Sequence, residues 1–298
     1  MESLKYLRVK VLVALLRIMV YLTRGIYTER PSAPVLQIPS REKGRLIKAF
    51  VYEKSELLYA AKPKPVLLNF HGGGFIFHFH GMDVTFCSLV SEQTGYIVLD
   101  IKYGLGPEQP FPAGLNDAED AIRYVLSRPN EYDASRIALS GFSTGANIAS
   151  AAAVALFEKP VIDKLIAFYP LIDLAKDPAQ KLCPDLENGK PMPTWMANLM
   201  KSAYVPSGID ARDPRVSPAM ADTSKYPQNV LIVTAALDNL APEGEELGRR
   251  LEQSGKRHVV LKRFDGCVHG WDKWPKSEHD QAARDEANQL VVDFLLRD

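Results

Sequence analysis

Residues 136–156, RIALSGFSTGANIASAAAVAL, are predicted to form a buried strand, a sharp turn and a helix of small residues. Gly141 and Gly145 flank Ser143 in a G-x-S-x-G frame. A strand that reverses into a helix crowds its own backbone, so residues without Cβ are needed on both sides of the corner. We therefore expect Ser143 to project from the top of a sheet beside a helix N-terminus, where free N–H groups favour negative charge on an oxygen.

A second glycine-rich turn lies earlier in the chain. The strand predicted over residues 66–70 runs directly into the sequence HGGG, which ends at Gly74. Consecutive glycines after a buried strand cost conformational entropy, and a simple tight turn is one explanation for them. Because the serine turn occurs in the same chain, we favour a functional explanation. Gly73 and Gly74 would direct backbone N–H groups toward the point reached by the N–H of Thr144, which would form an oxyanion hole.

The serine needs a base and an acid, and both are expected in later loops. Its hydroxyl becomes a nucleophile when a neutral imidazole removes the proton, and a carboxylate must hold that imidazole in one tautomer. Asp238 directly follows the apolar strand VLIVTAAL, and His269 lies in the loop after HVVLKRF. Asp265 and Glu243 are competing acids. We expect Asp265 to end its own strand or cap a turn, so Ser143, Asp238 and His269 are the predicted catalytic residues.

Composition limits the classes of protein that this chain can represent. Its 298 residues are 46% hydrophobic and 24% charged, which suits one α/β domain over residues 1–298. The 36 basic and 36 acidic residues balance, so nothing in the charge favours nucleic acid as a partner. A homodimer is left open.

Cysteines and histidines give no sign of a metal site or of a disulfide framework. Cys87, Cys183 and Cys267 are odd in number, widely spaced and without a C-x-x-C pair. His78 and His80 lie in the run FIFHFH, and they lack a set of neighbours with ligand spacing. We therefore expect no metal and reduced thiols, which fits a cytoplasmic protein.

The N-terminal segment is predicted to be an amphipathic helix with two alternative roles. Apolar residues step by three or four along it, at Leu4, Leu7, Val11, Leu15, Ile18 and Leu22. A membrane span needs about 20 apolar residues, and Arg17 interrupts this run. No small-residue cleavage site for a signal peptide is evident. We expect a lid helix over a soluble body. The alternative is weak interfacial or peripheral membrane association through the nearby basic residues.

Strands and helices alternate along the rest of the chain, which predicts a mainly parallel sheet. Strands are predicted over 45–52, 66–70, 96–101, 164–171, 230–236 and 258–264, and helices over 115–127, 194–203 and 278–297. The long interval between the strands at 164–171 and 230–236 is of a kind that covers active sites. We expect a cap formed by about residues 1–40 and about residues 174–216. Trp195 and Met196 would supply an apolar pocket wall.

These motifs together resemble the hormone-sensitive-lipase-like family of α/β-hydrolases, which includes carboxylesterases and arylacetamide-deacetylase-like enzymes. The likeness begins at about residue 66 and extends to the C-terminus. It rests on HGGGF at 71–75, Tyr103 with Pro107-Glu108 and Phe111-Pro112, GFSTG at 141–145, Asp238 with the downstream Glu243, and His269-Gly270. The GFSTG variant is similar to that of fungal members, some of which act in natural-product pathways. A fungal source is therefore expected.

The resemblance implies an eight-stranded, mostly parallel sheet flanked by helices, a helical cap, and a serine esterase that needs no cofactor. It implies cleavage of small to medium, largely apolar carboxylic esters through an acyl-enzyme. Candidate substrate contacts are Phe75, Phe142, Trp195 and Met196. Thr144 stands where the family has a small residue, which narrows the space beside the oxyanion. The alternatives are a lactone or thioester hydrolase, an acyl transferase on a pathway intermediate, and a non-catalytic binding protein.

Overall fold

A single mixed sheet forms the centre of the molecule. The computed structural model describes residues 2–24, 32–54, 63–158, 160–255 and 257–297. Within these ranges the strands are β1 (Val35–Pro39), β2 (Leu46–Tyr52), β3 (Lys64–Phe70), β4 (Ile97–Ile101), β5 (Tyr132–Phe142), β6 (Lys164–Phe168), β7 (Asn229–Ala235) and β8 (His258–Phe264). Their order is β1-β2-β4-β3-β5-β6-β7-β8. The pairs β1–β2 and β2–β4 are antiparallel, whereas the rest are parallel. The predicted eight-stranded, mostly parallel sheet is therefore confirmed.

Helices cover both faces of the sheet because its central strands are apolar on both sides. The α-helices of the described ranges are α1 (Glu2–Arg24), α2 (Val84–Thr94), α3 (Ala113–Leu126), α4 (Thr144–Ala155), α5 (Thr194–Tyr204), α6 (Ala241–Gln253) and α7 (Glu278–Leu296). One core contains residues of α3, α4 and α6, and a second contains residues of α2 and α7. In β3, Leu68 faces the first core and Leu67 the second, as the alternation of side chains along a strand requires.

Helices α1 and α5 pack against each other above the carboxyl ends of the central strands. Val13 and Leu16 of α1 join Leu199 and Met200 of α5 in a third apolar cluster, which also includes Phe77 from the glycine-rich loop. These contacts fit the predicted lid helix.

Arg17 fixes α1 to the body through four hydrogen bonds. Its guanidinium donates to the carbonyl oxygens of Ile76 and Gly106, each at 2.8 Å, and to both carboxylate oxygens of Glu108 at 3.1 and 3.0 Å. A charged residue in mid-helix therefore points toward the protein, where backbone carbonyls and one carboxylate satisfy it.

The apolar stripe that predicted the lid faces outward instead. Leu4 and Leu22 are each 73% exposed, and the other members are exposed as well, namely Leu7, Val11, Leu15 and Ile18. The inward face is formed by residues between the stripe positions, including Val13 and Leu16. Because residues 11–16 of α1 are apolar on every side, periodicity identified the stripe but could not show which side of the helix meets the body.

The structure also corrects the predicted cap boundary and adds elements. β1 pairs with β2 in the sheet, so the cap does not extend to residue 40. Residues 25–31 of the predicted cap lie outside the described residues. The FIFHFH run forms turns, and α2, which follows it, was not predicted. Gly95, in the left-handed region with a φ of 72°, caps α2.

Candidate active site

Ser143 occupies a strained corner between β5 and α4. Its φ of 54° and ψ of −114° lie in a region that residues with a side chain rarely adopt. A Cβ on Gly141 would overlap the backbone of Gly145, and a Cβ on Gly145 would overlap the carbonyl oxygens of Phe70 and His71. The two glycines are therefore required by the close approach of α4 to β5 and β3, as the sequence predicted.

Ser143, His269 and Asp238 form a continuous hydrogen-bonded chain. His269 Nε2 lies 3.0 Å from Ser143 Oγ, and His269 Nδ1 lies 2.6 Å from Asp238 Oδ2. The other Asp238 oxygen, Oδ1, accepts a hydrogen bond of 3.0 Å from the backbone N–H of Leu240. Asp238 is buried and held from both sides, so Nδ1–H donates to it and Nε2 is left to accept the serine proton.

Asp265, the competing acid, lies elsewhere. Its side chain is 89% exposed and faces Arg263 at 3.7 Å. Glu243 is also engaged away from His269. It accepts hydrogen bonds from the backbone N–H groups of Ile172 and Asp173 and forms an ion pair with Lys181 at 2.5 Å.

The pKa of His269 lies above the ordinary histidine value. Burial by itself would lower this pKa, but the adjacent Asp238 carboxylate stabilises the imidazolium by charge and by its hydrogen bond, and Asp272 adds a smaller effect. Tyr169 packs the edge of its ring against the imidazole at a centroid distance of 4.7 Å and donates a hydrogen bond of 2.7 Å to Asp272. The imidazole is thus both oriented and prepared to take up a proton.

The glycine-rich loop presents two backbone donors near Ser143. Gly73 and Gly74 have φ values of 124° and 62°, which favour glycine. Within the described ranges the N–H groups of these two glycines form no hydrogen bond with the protein. A Cβ on Gly74 would lie 2.5 Å from the sulfur of Met200, so the absence of a side chain at Gly74 allows α5 to pack closely against the loop.

Buried neighbours brace this loop. Thr144 Oγ1 accepts a hydrogen bond of 3.3 Å from the N–H of Phe75, and Tyr103 donates one of 2.7 Å to the carbonyl oxygen of His71. Burial lowers the pKa of His71 to about 4, so this histidine is neutral at ordinary pH. Its Nδ1 lies 2.6 Å from the carbonyl oxygen of Gly72. His71 therefore supports the loop rather than serving as the base.

A cavity of about 400 Å³ opens onto Ser143 and His269. Of the residues predicted from the sequence, Gly74, Thr144, Phe75 and Met196 also line it. Further apolar lining comes from the insertion before β7 and from neighbouring loops, at Leu171, Leu174, Met192, Met200 and Leu240. Met192, Met196 and Met200 recur every four residues in the sequence, and this spacing is a signal that could identify part of the wall. The leucines gave no local signal.

Two of the predicted substrate contacts do not line the cavity. Phe142 points into the second core, where its ring lies 5.1 Å from that of Phe86 and 3.1 Å from Lys273 Nζ. Side chains alternate along β5, so the residue beside the nucleophile is directed away from it. Trp195 is 61% exposed, on the outer side of α5. Met196 is the neighbour that reaches the cavity, because successive residues of a helix point in different directions.

The described residues contain no group of three or more histidine, cysteine, aspartate or glutamate side chains that could hold a metal ion. The helices in these ranges are also too short or too polar to cross a membrane.

Comparison with known proteins identifies the fold family. Residues 67–273 match a family model for the alpha/beta hydrolase fold. The chain belongs to the α/β-hydrolase fold family. This confirms the family resemblance that the HGGGF and GFSTG motifs predicted, whereas a fungal source stays a prediction.

Individual members of this α/β-hydrolase family include esterases. An AB hydrolase superfamily protein of Schizosaccharomyces pombe is 30% identical over 217 residues, which cover 69% of this chain and 62% of that protein. An ethyl acetate hydrolase of Pseudomonas putida is 27% identical over 77% of this chain and 72% of its own. A solved hyperthermophilic esterase from Pyrobaculum calidifontis superposes with a TM-score of 0.79 and 25% identity, covering 96% and 94% of the two chains. This chain thus spans less than two thirds of the yeast relative.

Proposed function

We propose that this α/β-hydrolase is a serine esterase that cleaves carboxylic esters of small to medium size and largely apolar character. The observation that carries the proposal is the chain Asp238–His269–Ser143, with contacts of 2.6 and 3.0 Å, at the wall of a mainly apolar cavity. The esterases among its relatives support the same reaction class.

The proposed reaction proceeds through an acyl-enzyme. Ser143 Oγ attacks the ester carbonyl while His269 Nε2 takes the hydroxyl proton, and Asp238 stabilises the resulting imidazolium. The N–H groups of Gly73, Gly74 and Thr144 donate to the carbonyl oxygen as it becomes negative. The C–O bond of the ester then breaks, and His269 gives its proton to the departing alcohol. Water attacks the acyl-serine by the same route and releases the acid. An alcohol in place of water would transfer the acyl group instead.

Covalent labelling tests the nucleophile directly. We expect a fluorophosphonate probe to label the wild type and Ser150→Ala but not Ser143→Ala. Ser150 lies in α4, the helix that follows Ser143, and its buried hydroxyl has no hydrogen-bond partner among the described residues. Ser150→Ala is therefore a control for the removal of a serine hydroxyl. On p-nitrophenyl esters from acetyl to decanoyl, Ser143→Ala should lose at least about 1,000-fold in kcat. Retention of a tenth of the activity, or equal labelling of both variants, would refute the role of Ser143.

We also propose that the outward face of α1 docks on an anionic membrane surface. The exposed stripe from Leu4 to Leu22 is accompanied by exposed Lys5, Arg8 and Lys10. Residues 4–23 contain no Asp or Glu, so the face complements anionic headgroups and offers no carboxylate to a second copy of itself. Arg17, the remaining cation of this segment, is paired with Glu108 on the protein side.

Vesicle sedimentation tests this docking. The full chain should sediment with vesicles containing about 30% phosphatidylserine and less with neutral ones. Leu7→Gln/Leu15→Gln should abolish sedimentation. Leu182→Gln/Leu186→Gln, which removes two exposed leucines elsewhere, should not. The membrane proposal is wrong if the wild type does not sediment with the vesicles. A wild-type dimer that Leu7→Gln/Leu15→Gln dissociates would then assign this face to a second copy of the chain.

A further inference from the structure

The mouth of the cavity carries an excess of positive charge that the apolar-ester proposal does not use. Four of its lining residues are lysines, Lys176, Lys181, Lys190 and Lys201. The sequence as a whole is neutral, with 36 basic and 36 acidic residues, so the local excess is a property of this site. The lysines come from separate parts of the insertion between β6 and β7, and folding brings them to one opening.

The two carboxylates that line the cavity already have partners within the protein. Asp238 binds His269, and Asp173 Oδ1 accepts hydrogen bonds of 2.9 Å from the backbone N–H groups of Ala175 and Lys176. Lys181 is buried and compensated, since its Nζ lies 2.5 Å from Glu243 and donates to the carbonyl oxygen of Asp173 at 2.6 Å.

The other three lysines are different. No carboxylate in the described part of the chain forms an ion pair with the ammonium group of Lys176, Lys190 or Lys201. Lys176 and Lys190 are exposed and Lys201 is half-buried, so their charges lie at the solvent edge of the cavity. The apolar wall, which includes Met196 and Leu240, lies alongside the same opening.

From this arrangement we infer that the preferred substrate is an ester with an apolar portion and a negatively charged group, such as a carboxylate, remote from the ester bond. The apolar portion fills the cavity beside Ser143, and the anion lies at the mouth among Lys176, Lys190 and Lys201. Three ammonium groups at one opening attract an anion and steer the substrate inward, an effect that weakens as the ionic strength rises. This inference rests on the proposed ester hydrolysis.

Substrate pairs that differ in charge provide the test. On the acyl side, the pair is mono-p-nitrophenyl suberate and p-nitrophenyl octanoate, which have equal chain lengths. On the alcohol side, it is 4-acetoxybenzoate and its methyl ester. After subtraction of spontaneous hydrolysis, we expect kcat/KM to favour the anionic member of at least one pair by about five-fold or more at low ionic strength. Raising the salt concentration to about 0.5 M should reduce that preference.

Charge-removing variants assign the preference to the lysines. Lys176→Gln/Lys190→Gln/Lys201→Gln should bring the anionic-to-neutral ratio of kcat/KM to about one. Lys43→Gln, an exposed lysine in the turn between β1 and β2, should leave the ratio unchanged. These substitutions alter side chains at the surface or its edge, so the fold is expected to persist.

The two proposals fail in different ways. If the wild type is not labelled by the fluorophosphonate and hydrolyses neither member of either pair, the proposed esterase activity is wrong. If it hydrolyses the neutral esters but shows no anionic preference in either pair, the inference about the lysines is overturned while the esterase stands. The inference about the lysines is also overturned, while the esterase stands, if the wild type prefers the anionic ester and Lys176→Gln/Lys190→Gln/Lys201→Gln keeps that preference.

Discussion

The 2.6 Å contact between His269 and Asp238 identifies Asp238 as the partner of the histidine, although Asp265 is nearer to His269 in the sequence. Asp238→Asn should lower kcat by at least about 100-fold, because an amide NH₂ in place of the carboxylate favours the wrong imidazole tautomer. Asp265→Asn should have little effect, since that side chain is 89% exposed and contacts Arg263 instead. Steady-state kinetics on p-nitrophenyl butyrate measure both. The opposite ranking would assign the acid to Asp265.

The raised pKa of His269 predicts where activity is lost on acidification. The base must be neutral, so kcat/KM should fall as the pH drops through a pKa higher than the unperturbed value of about 6.5. Asp238→Asn removes the charge that raises this pKa, and the acidic limb of its residual activity should shift to lower pH. Rates measured from about pH 5 to about pH 9, at the isosbestic wavelength of p-nitrophenol, test this. A wild-type profile that is flat over this range would contradict the role of His269.

At the scale of elements, the turn between β5 and α4 depends on the absence of a side chain at Gly145. Gly145→Ala would force α4 away from β3, because the new Cβ overlaps the carbonyl oxygen of Phe70. We expect a loss of about 3 kcal/mol in the free energy of unfolding. Gly208→Ala is a control with a φ of 87° and open space around the new Cβ, so it should lose about 1 kcal/mol from backbone strain alone.

Urea unfolding of the two glycine variants measures the difference. Gly145 is not among the glycines with a positive φ, so a loss no larger than that of Gly208→Ala would show that close packing of the turn does not set the requirement for glycine there. A Gly145→Ala protein with normal stability would mean that α4 does not approach β3 as closely as described.

At the scale of the whole molecule, α1 connects the surface to the site. Its inner face packs on Met200, and Met200 in turn packs on Gly74 of the glycine-rich loop. Deletion of residues 1–24 should therefore lower kcat/KM on a water-soluble ester and expose the apolar cluster around Phe77 and Leu199, which lowers solubility.

Arg17→Ala is a smaller change to α1 than deletion of residues 1–24. It keeps the helix but removes the hydrogen bonds to Ile76, Gly106 and Glu108, so it should reduce kcat/KM in the same direction by a smaller factor. Comparison of both proteins with the wild type, without vesicles, isolates the lid contribution. Unchanged kcat/KM in the deletion variant would leave α1 with a surface role alone.

The sequence by itself determined the family and most of the alternating strands and helices, although not β1 or α2. It also put forward Ser143, Asp238 and His269, which the structure brings together. It could do so because a parallel sheet places the loops after its strands at one edge, so motifs far apart in the chain become neighbours. The glycines on either side of the serine were also predictable, since the close approach at this turn is a local property of the backbone.

Only the tertiary structure decided which side chains reach the cavity and which face of α1 is left open. Phe142 and Met196 were equally plausible contacts by residue type, but β5 directs the first into the core and α5 directs the second to the site. The outward stripe of α1 and the lysines at the cavity mouth likewise depend on how distant segments pack. Periodicity and composition are properties of one segment at a time. The surroundings of a side chain also depend on the distant segments that pack against it.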